Sequence, residues 1–205
     1  MEITLSNIGR RFNREWIFRN IDYTFKAGEP YAILGINGSG KSTLLQIISG
    51  ALGQSEGKIA YTHLQKEIAV EAIFAHLAIA APYLELIEDF TLSEVLDFHF
   101  RFKKRLNNIS NPDLLALLNM QSNANKQLKY FSSGMKQRVK LALAFCSDTA
   151  MLLLDEPTSN LDQQGVDWYL DLVNTFTKDR LVLVCSNQSH EYEFCPNRLH
   201  IANYK

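Results

Sequence analysis

The period of the hydrophobic positions shifts along the chain. Ile21-Asp22-Tyr23-Thr24-Phe25 alternates apolar and polar residues, which predicts a strand with one buried face. Tyr31-Ala32-Ile33-Leu34 is apolar throughout, as a strand covered on both faces would be. From Ser42 to Leu52 the positions Leu44, Leu45, Ile47, Ile48 and Leu52 recur at helical spacing. Gly57 to Tyr61 and Ile73 to Ala80 read as further strands, the second closed by Pro82.

A helical region follows. Thr91-Leu92-Ser93-Glu94 is a capping box that opens a helix through about Lys104. Asn111-Pro112 caps and starts another, Asp113 to Met120, and the polar stretch Gln121 to Lys129 is a loop. Residues 91–130 thus read as a helical insertion. Beyond it, Met135 to Phe145 is helical and Met151-Leu152-Leu153-Leu154 is a buried strand ending on two carboxylates. Gly165 to Lys178 is a helix and Leu181-Val182-Leu183-Val184 another buried strand. Alternating strands and helices with short connections predict an α/β fold with a mostly parallel sheet covered on both faces. No stretch repeats, so residues 1–205 are expected to form one domain.

Composition narrows the class only modestly. With 21 basic and 22 acidic residues the net charge is −1, which gives no electrostatic reason to expect nucleic acid as a partner. Cys146, Cys185 and Cys195 form no CxxC pair, as expected of reduced, buried thiols in a cytoplasmic protein. The N-terminus lacks the basic-then-apolar pattern of a signal peptide. The most apolar stretch, Ala72 to Ile87, is interrupted by His76, Pro82 and Glu85, so any membrane span is expected on another chain. Asn37-Gly38-Ser39 and Asn108-Ile109-Ser110 fit a glycosylation triplet but are read as coincidental in such a chain.

The chemistry concentrates in two segments. Gly35-Ile36-Asn37-Gly38-Ser39-Gly40-Lys41-Ser42-Thr43 lies between a buried strand and a helix, the context of a phosphate loop. Its glycines let backbone N–H groups approach phosphate oxygens, and the helix points its positive end at the anion. Lys41 would add charge at the β- and γ-phosphates and Ser42 a hydroxyl ligand for magnesium, so ATP and Mg²⁺ are the expected cofactors. In Leu154-Asp155-Glu156-Pro157 a carboxylate ends a buried strand, where it needs a cation. Asp155 would hold magnesium, and Glu156 would take a proton from an attacking water.

Together these segments resemble the ATP-binding-cassette (ABC) ATPase domains that drive membrane transporters, over nearly the whole chain. Walker A corresponds to Gly35–Thr43 and Walker B to Met151–Glu156, while Phe131-Ser132-Ser133-Gly134-Met135 is similar to the signature LSGGQ. Ser132 precedes Asp155 by 23 residues, in keeping with the family order, and Ser159-Asn160-Leu161-Asp162 looks like the D-loop. The resemblance implies a P-loop NTPase core, an N-terminal antiparallel β region and a helical insertion. It implies a head-to-tail homodimer formed on ATP, with Ser132, Ser133 and Gly134 facing the partner's nucleotide. It also implies a separate integral membrane subunit, docked near the Gln121–Tyr130 loop, and a place on the cytoplasmic face of the membrane. Phe12, or else Trp16, stands where the family carries the aromatic that stacks on adenine.

Two positions depart from the pattern. The Q-loop glutamine falls at Pro82, with Gln65 too early to replace it, and the switch histidine falls at Asn187. An Asn amide can donate to a γ-phosphate but cannot carry charge or shuttle a proton. His190, three residues on, is expected at the surface. ATP binding and dimerisation are therefore expected with slow or partner-dependent hydrolysis. A regulatory switch and a non-transport ABC ATPase are the competing readings.

Overall fold

The computed structural model describes residues 1–205. In chain order, β1 (Glu2–Phe12) and β2 (Glu15–Lys26) form a hairpin, and β3 (Tyr31–Leu34) leads into α1 (Lys41–Ile48). β4 (Glu56–His63) and β5 (Lys66–Ile68) precede β6 (Leu77–Ala80). Then come α2 (Leu92–Phe102), α3 (Asn111–Leu118), α4 (Ser133–Phe145), β7 (Met151–Asp155), α5 (Gln163–Phe176), β8 (Leu181–Ser186), α6 (Ser189–Tyr192) and β9 (Asn197–His200).

Two sheets result. β2-β1-β4-β5 is antiparallel, and β6-β7-β8-β3-β9 is parallel throughout. Side chains alternate across each parallel strand, which is why those strands read as unbroken apolar runs. In β7, Met151 and Leu153 face the core shared with α1 and the antiparallel sheet. Leu152 and Leu154 face α4 and α5 on the other side. A further cluster joins Leu92, Leu96, Leu114 and Leu118 of the insertion to Val139 and Leu143 of α4. Each such leucine, fully buried, contributes about 1.5–3 kcal/mol of transfer free energy.

The register sets up the site. Leu34 pairs with Ser186, Asp155 with Cys185 and Ala80 with Leu154. The segments beginning at Gly35, Ala81, Glu156 and Asn187 therefore leave one edge of the sheet side by side, the edge where open α/β sheets bind ligands.

Several expected elements differ in extent. The predicted strand Ile73–Ala80 is extended only over Leu77–Ala80; Val70–His76 is a 3₁₀ segment that tucks Ile73 against Gly50. A continuous apolar run does not fix a period by itself. The cap of α3 is Ser110, paired with Asp113, rather than Asn111. α3 ends at Asn119, which is left-handed at φ 55°. α1 stops at Ile48, before Gly50 at φ 76°, short of the predicted Leu52. The Gln121–Lys129 stretch contains 3₁₀ turns at Gln121–Asn123 and Leu128–Tyr130. Cys146, Cys185 and Cys195 are buried free thiols, as expected.

Candidate functional site

The loop between β3 and α1 is built on close backbone approaches. Gly40 adopts φ 106°, and a Cβ there would lie 2.5 Å from Ile17 Cγ2 on β2. At Gly35 a Cβ would collide with Ser39 Oγ. Lys41 is buried and donates from Nζ to the carbonyls of Gly35 at 2.7 Å and Ile36 at 3.3 Å. This ammonium is thus curled over the loop at the mouth of α1. No side chain caps α1, so its first-turn N–H groups face outward, where an anion can satisfy them. A cavity of about 190 Å³ lies here, bordered by Asn37, Gly38, Lys41, Ser42, Thr43 and Glu156. Ile17, on the same wall, is a contact that the sequence pattern did not single out.

Asp155 is 1% exposed, and neither carboxylate oxygen has a hydrogen-bond partner of good geometry. Burial raises its pKa to about 6. The nearby Ser42 hydroxyl and Lys41 ammonium pull the value down, whereas Glu156 and Glu191 push it up. An orphaned, buried carboxylate beside a hydroxyl is an oxygen donor set suited to a small hard cation. Glu156, next in sequence, is held at φ 42°, a sparsely populated region for a residue with a side chain. Its N–H donates to Cys185 O at 2.9 Å, and its carbonyl accepts from Ser159 N at 3.0 Å.

The signature segment forms a separate pocket. Ser132 caps α4, its hydroxyl accepting from Met135 N at 3.2 Å. Gly134 lies against the D-loop, where a Cβ would sit 2.8 Å from Asn160 O. Ser132, Ser133, Gly134, Met135, Asn160 and Asp162 border a cavity of about 380 Å³ that shares no lining residue with the phosphate loop.

The remaining predicted positions divide. Asn187 reaches the loop, donating from Nδ2 to Asn37 Oδ1 at 2.9 Å. Pro82 contributes only its carbonyl, which accepts from Lys140 Nζ at 3.1 Å. Beside it, Tyr83 is 43% exposed, and partial burial of its phenol, then the negative charge of Asp155, raise its pKa to about 12. Gln65 lies in the β4–β5 turn, away from the site. Phe12 is an exposed ring at the end of β1, with the Arg10 guanidinium 4.5 Å from its centroid. Trp16 lies beneath the guanidinium of Arg19, 4.2 Å from centroid to Cζ. Neither aromatic borders the phosphate cavity.

His190 is not the free surface residue expected from its loop position. It is half-buried on α6, with Nε2 3.0 Å from Thr158 Oγ1. Two further residues escaped sequence reasoning, Gln137 and Glu191, both buried. Gln137 Nε2 donates to Pro157 O at 2.8 Å. Glu191 accepts from Thr158 N at 2.7 Å. Neither stands out in the sequence, since Gln137 lies between Lys136 and Arg138 and Glu191 within the polar run Ser189-His190-Glu191-Tyr192.

Strand, glycine loop, uncapped helix, strand-end carboxylate and a second glycine-containing helix start on one parallel sheet define a nucleotide-binding cassette of the P-loop class. The ABC transporter family model matches residues 18–159, and the chain belongs to that family. It is 34% identical over 163 residues to Nod factor export ATP-binding protein I of Rhizobium johnstonii, covering 78% of this chain and 52% of that protein. It is 28% identical over 191 residues to the uncharacterized ABC transporter ATP-binding protein YybJ of Bacillus subtilis, covering 92% and 86%. The dimeric structure of MJ0796, a bacterial ABC transporter cassette, superposes with a TM-score of 0.80 at 23% identity, covering 97% of this chain and 94% of that one. The chain spans about half the length of the first curated relatives it matches.

Proposed function

We propose that this chain is the ATP-hydrolysing subunit of an ABC transporter, working as a head-to-tail homodimer beneath a separate integral membrane subunit. The observation that carries this reading is the division of phosphate-binding elements between two pockets. The phosphate-loop cavity contains Lys41, Ser42 and Glu156, whereas Ser132 and Gly134 lie in a cavity with different walls. The two cavities share no lining residue, and two copies facing each other would bring both sets to one nucleotide.

In such a sandwich the α1 N–H groups and Lys41 bind the phosphates, and Asn37, Gly38, Ser39 and Gly40 shape the cradle. Ser42 and Asp155 would hold Mg²⁺, which supplies charge neutralisation between phosphate oxygens. Glu156 accepts the proton of the attacking water, and Ser132 with the N–H groups of Ser133 and Gly134 contacts the partner's γ-phosphate. Asn187 donates a neutral hydrogen bond there, so its contribution falls short of an imidazolium. Phe12 is the residue assigned to adenine, with Trp16 second. The chain then lies on the cytoplasmic face of the membrane, and no helix in it is long and apolar enough to cross one.

The groove beside α2 supports the membrane partner. Leu86, Ile87, Val95, Phe98, Phe102 and Leu143 border an apolar cleft of about 250 Å³, and Phe98 and Phe102 are 41% and 74% exposed. Solvent-facing rings at this density mark a protein contact. We assign this groove, rather than the Gln121–Tyr130 loop, to an apolar helix or turn of the membrane subunit. Residues 81–87 run from the end of β6, next to Asp155, directly into the groove. A partner seated there would contact the segment that begins beside Asp155.

Steady-state ATPase of the purified chain and size-exclusion of Glu156→Gln with Mg-ATP test the reading. Slow turnover and a dimer trapped by ATP are expected. Fast, partner-independent turnover would remove the role given to Asn187. The absence of any ATP-stabilised dimer would remove the sandwich.

A further inference from the structure

Behind the phosphate cavity lies a buried polar network that none of the nucleotide contacts uses. Its centre is Glu191, on α6, at 0% exposure. No basic side chain pairs with its carboxylate. It is instead surrounded by donors: the Thr158 N–H at 2.7 Å, the Thr158 hydroxyl and the Ser186 hydroxyl. Ser186 Oγ in turn accepts from Gln188 N at 2.8 Å. With its proton given to Glu191, Thr158 Oγ1 must accept from His190 Nε2, 3.0 Å away, which fixes that imidazole with a proton on Nε2. The buried Tyr169 hydroxyl donates to Glu191 O at 2.8 Å and pins α6 to α5.

The placement of these partners gives the network its meaning. Thr158 is two residues beyond Glu156, and Ser186 is one residue before Asn187. Pro157, between Glu156 and Thr158, is held on its other side by Gln137 of the signature helix. Glu156 N also bonds Cys185 O, so strands β7 and β8 are joined just before the two loops diverge. Burying a carboxylate is costly, and an apolar side chain would serve packing at lower cost. Its retention makes sense where every bond ends on a segment that aims a reacting group.

We propose that Glu191 is a positioning residue that clamps the Walker B tail to the segment carrying Asn187, so that Glu156 and Asn187 hold one fixed relation across the phosphate cavity. The role assigned to those two residues rests on the ATPase reading above; the clamp itself is a statement about two loops and can be measured without hydrolysis. The clamp also explains how Glu156 is kept at positive φ, since strained backbone persists where its neighbours over-determine it.

The test uses Glu191→Met, which keeps the volume and loses the acceptors, and Glu191→Gln, which keeps an acceptor oxygen. In amide hydrogen exchange on the nucleotide-free chain, Glu191→Met is expected to speed exchange about tenfold or more in peptides covering both 156–161 and 186–190, leaving β1 and β2 unchanged. With Mg-ATP, its turnover per bound nucleotide is expected to fall about tenfold or more while ATP affinity stays within about threefold. Glu191→Gln should recover most of both. Should Glu191→Met fail to fold, Thr158→Val removes one hydroxyl and carries the same expectation. Faster exchange in only one segment, a uniform rise over the whole chain, or unchanged turnover in an active enzyme would overturn the clamp. A wild-type chain that lacks turnover would instead count against the ATPase reading, and the exchange pattern would still decide the clamp.

Discussion

Asp155 and His99 are titratable side chains whose surroundings oppose their charge. Asp155 has no hydrogen-bond partner of good geometry, and burial raises its pKa to about 6, so at neutral pH the nucleotide-free chain holds an ionised, desolvated carboxylate. Asp155→Asn is expected to stabilise that chain by about 1–3 kcal/mol. The same change should weaken the stabilisation gained on adding Mg-ATP; urea melts with and without Mg-ATP read both effects. His99 is bonded through Nε2 to Ser147 Oγ at 2.9 Å, and Ser147 gives its own proton to Leu143 O. Burial, then the charges of Lys103 and Arg105, lower its pKa to about 4. The unfolded chain therefore takes up this proton first as pH falls. Stability from His99 is present above about pH 6.5 and lost between 6.5 and 4, on the order of 2 kcal/mol allowing for partial exposure. Denaturant midpoints across that window should slope for the native sequence and flatten for His99→Asn.

At the scale of elements, the phosphate loop and the signature segment each sit at the start of a helix, but only the first leaves that turn without a side-chain cap. α1 has glycine at its cap position and no side-chain cap, whereas α4 has the Ser132 hydroxyl bonded to its own first turn. Gly134 packs against the D-loop carbonyl of Asn160 at a distance that leaves no room for a Cβ. Gly134→Ala must displace that loop. Since the signature pocket shares no residue with the phosphate cavity, ATP affinity of the monomer should stay within about threefold. The ATP-dependent dimer of Glu156→Gln should weaken by about tenfold or more in the double variant, measured by sedimentation. Equal loss of monomer affinity would show that the two pockets are one.

Across the whole molecule, the apolar groove beside α2 shares no lining residue with the phosphate cavity. The proposed membrane dock can therefore be separated from nucleotide binding. Phe98→Asp with Phe102→Asp changes two exposed rings and should leave ATP binding within about twofold, because neither ring contributes to the core near α1. Co-purification with the proposed membrane subunit should be lost. If it persists, the Gln121–Tyr130 loop becomes the site to alter.

The sequence alone determined the parts whose chemistry is local. A glycine run ending in Lys41-Ser42 after an apolar strand can be read directly, because the backbone geometry a phosphate demands is encoded within a few consecutive residues. The buried strands were legible for the same reason, since a chain covered on both faces must be apolar at every position. What needed the tertiary structure were relations between distant segments. The register that sets Asp155 beside Cys185, and Ser186 beside the end of β3, follows from strand order, which no local pattern specifies. Glu191 is one polar residue in a polar run, and only folding brings Thr158 and Ser186 to it. Ile73 escaped its strand assignment because the hydrophobic effect rewards burial without dictating a backbone period. Local sterics and periodicity thus wrote the phosphate loop into the sequence, while long-range hydrogen bonding and packing decided what surrounds it.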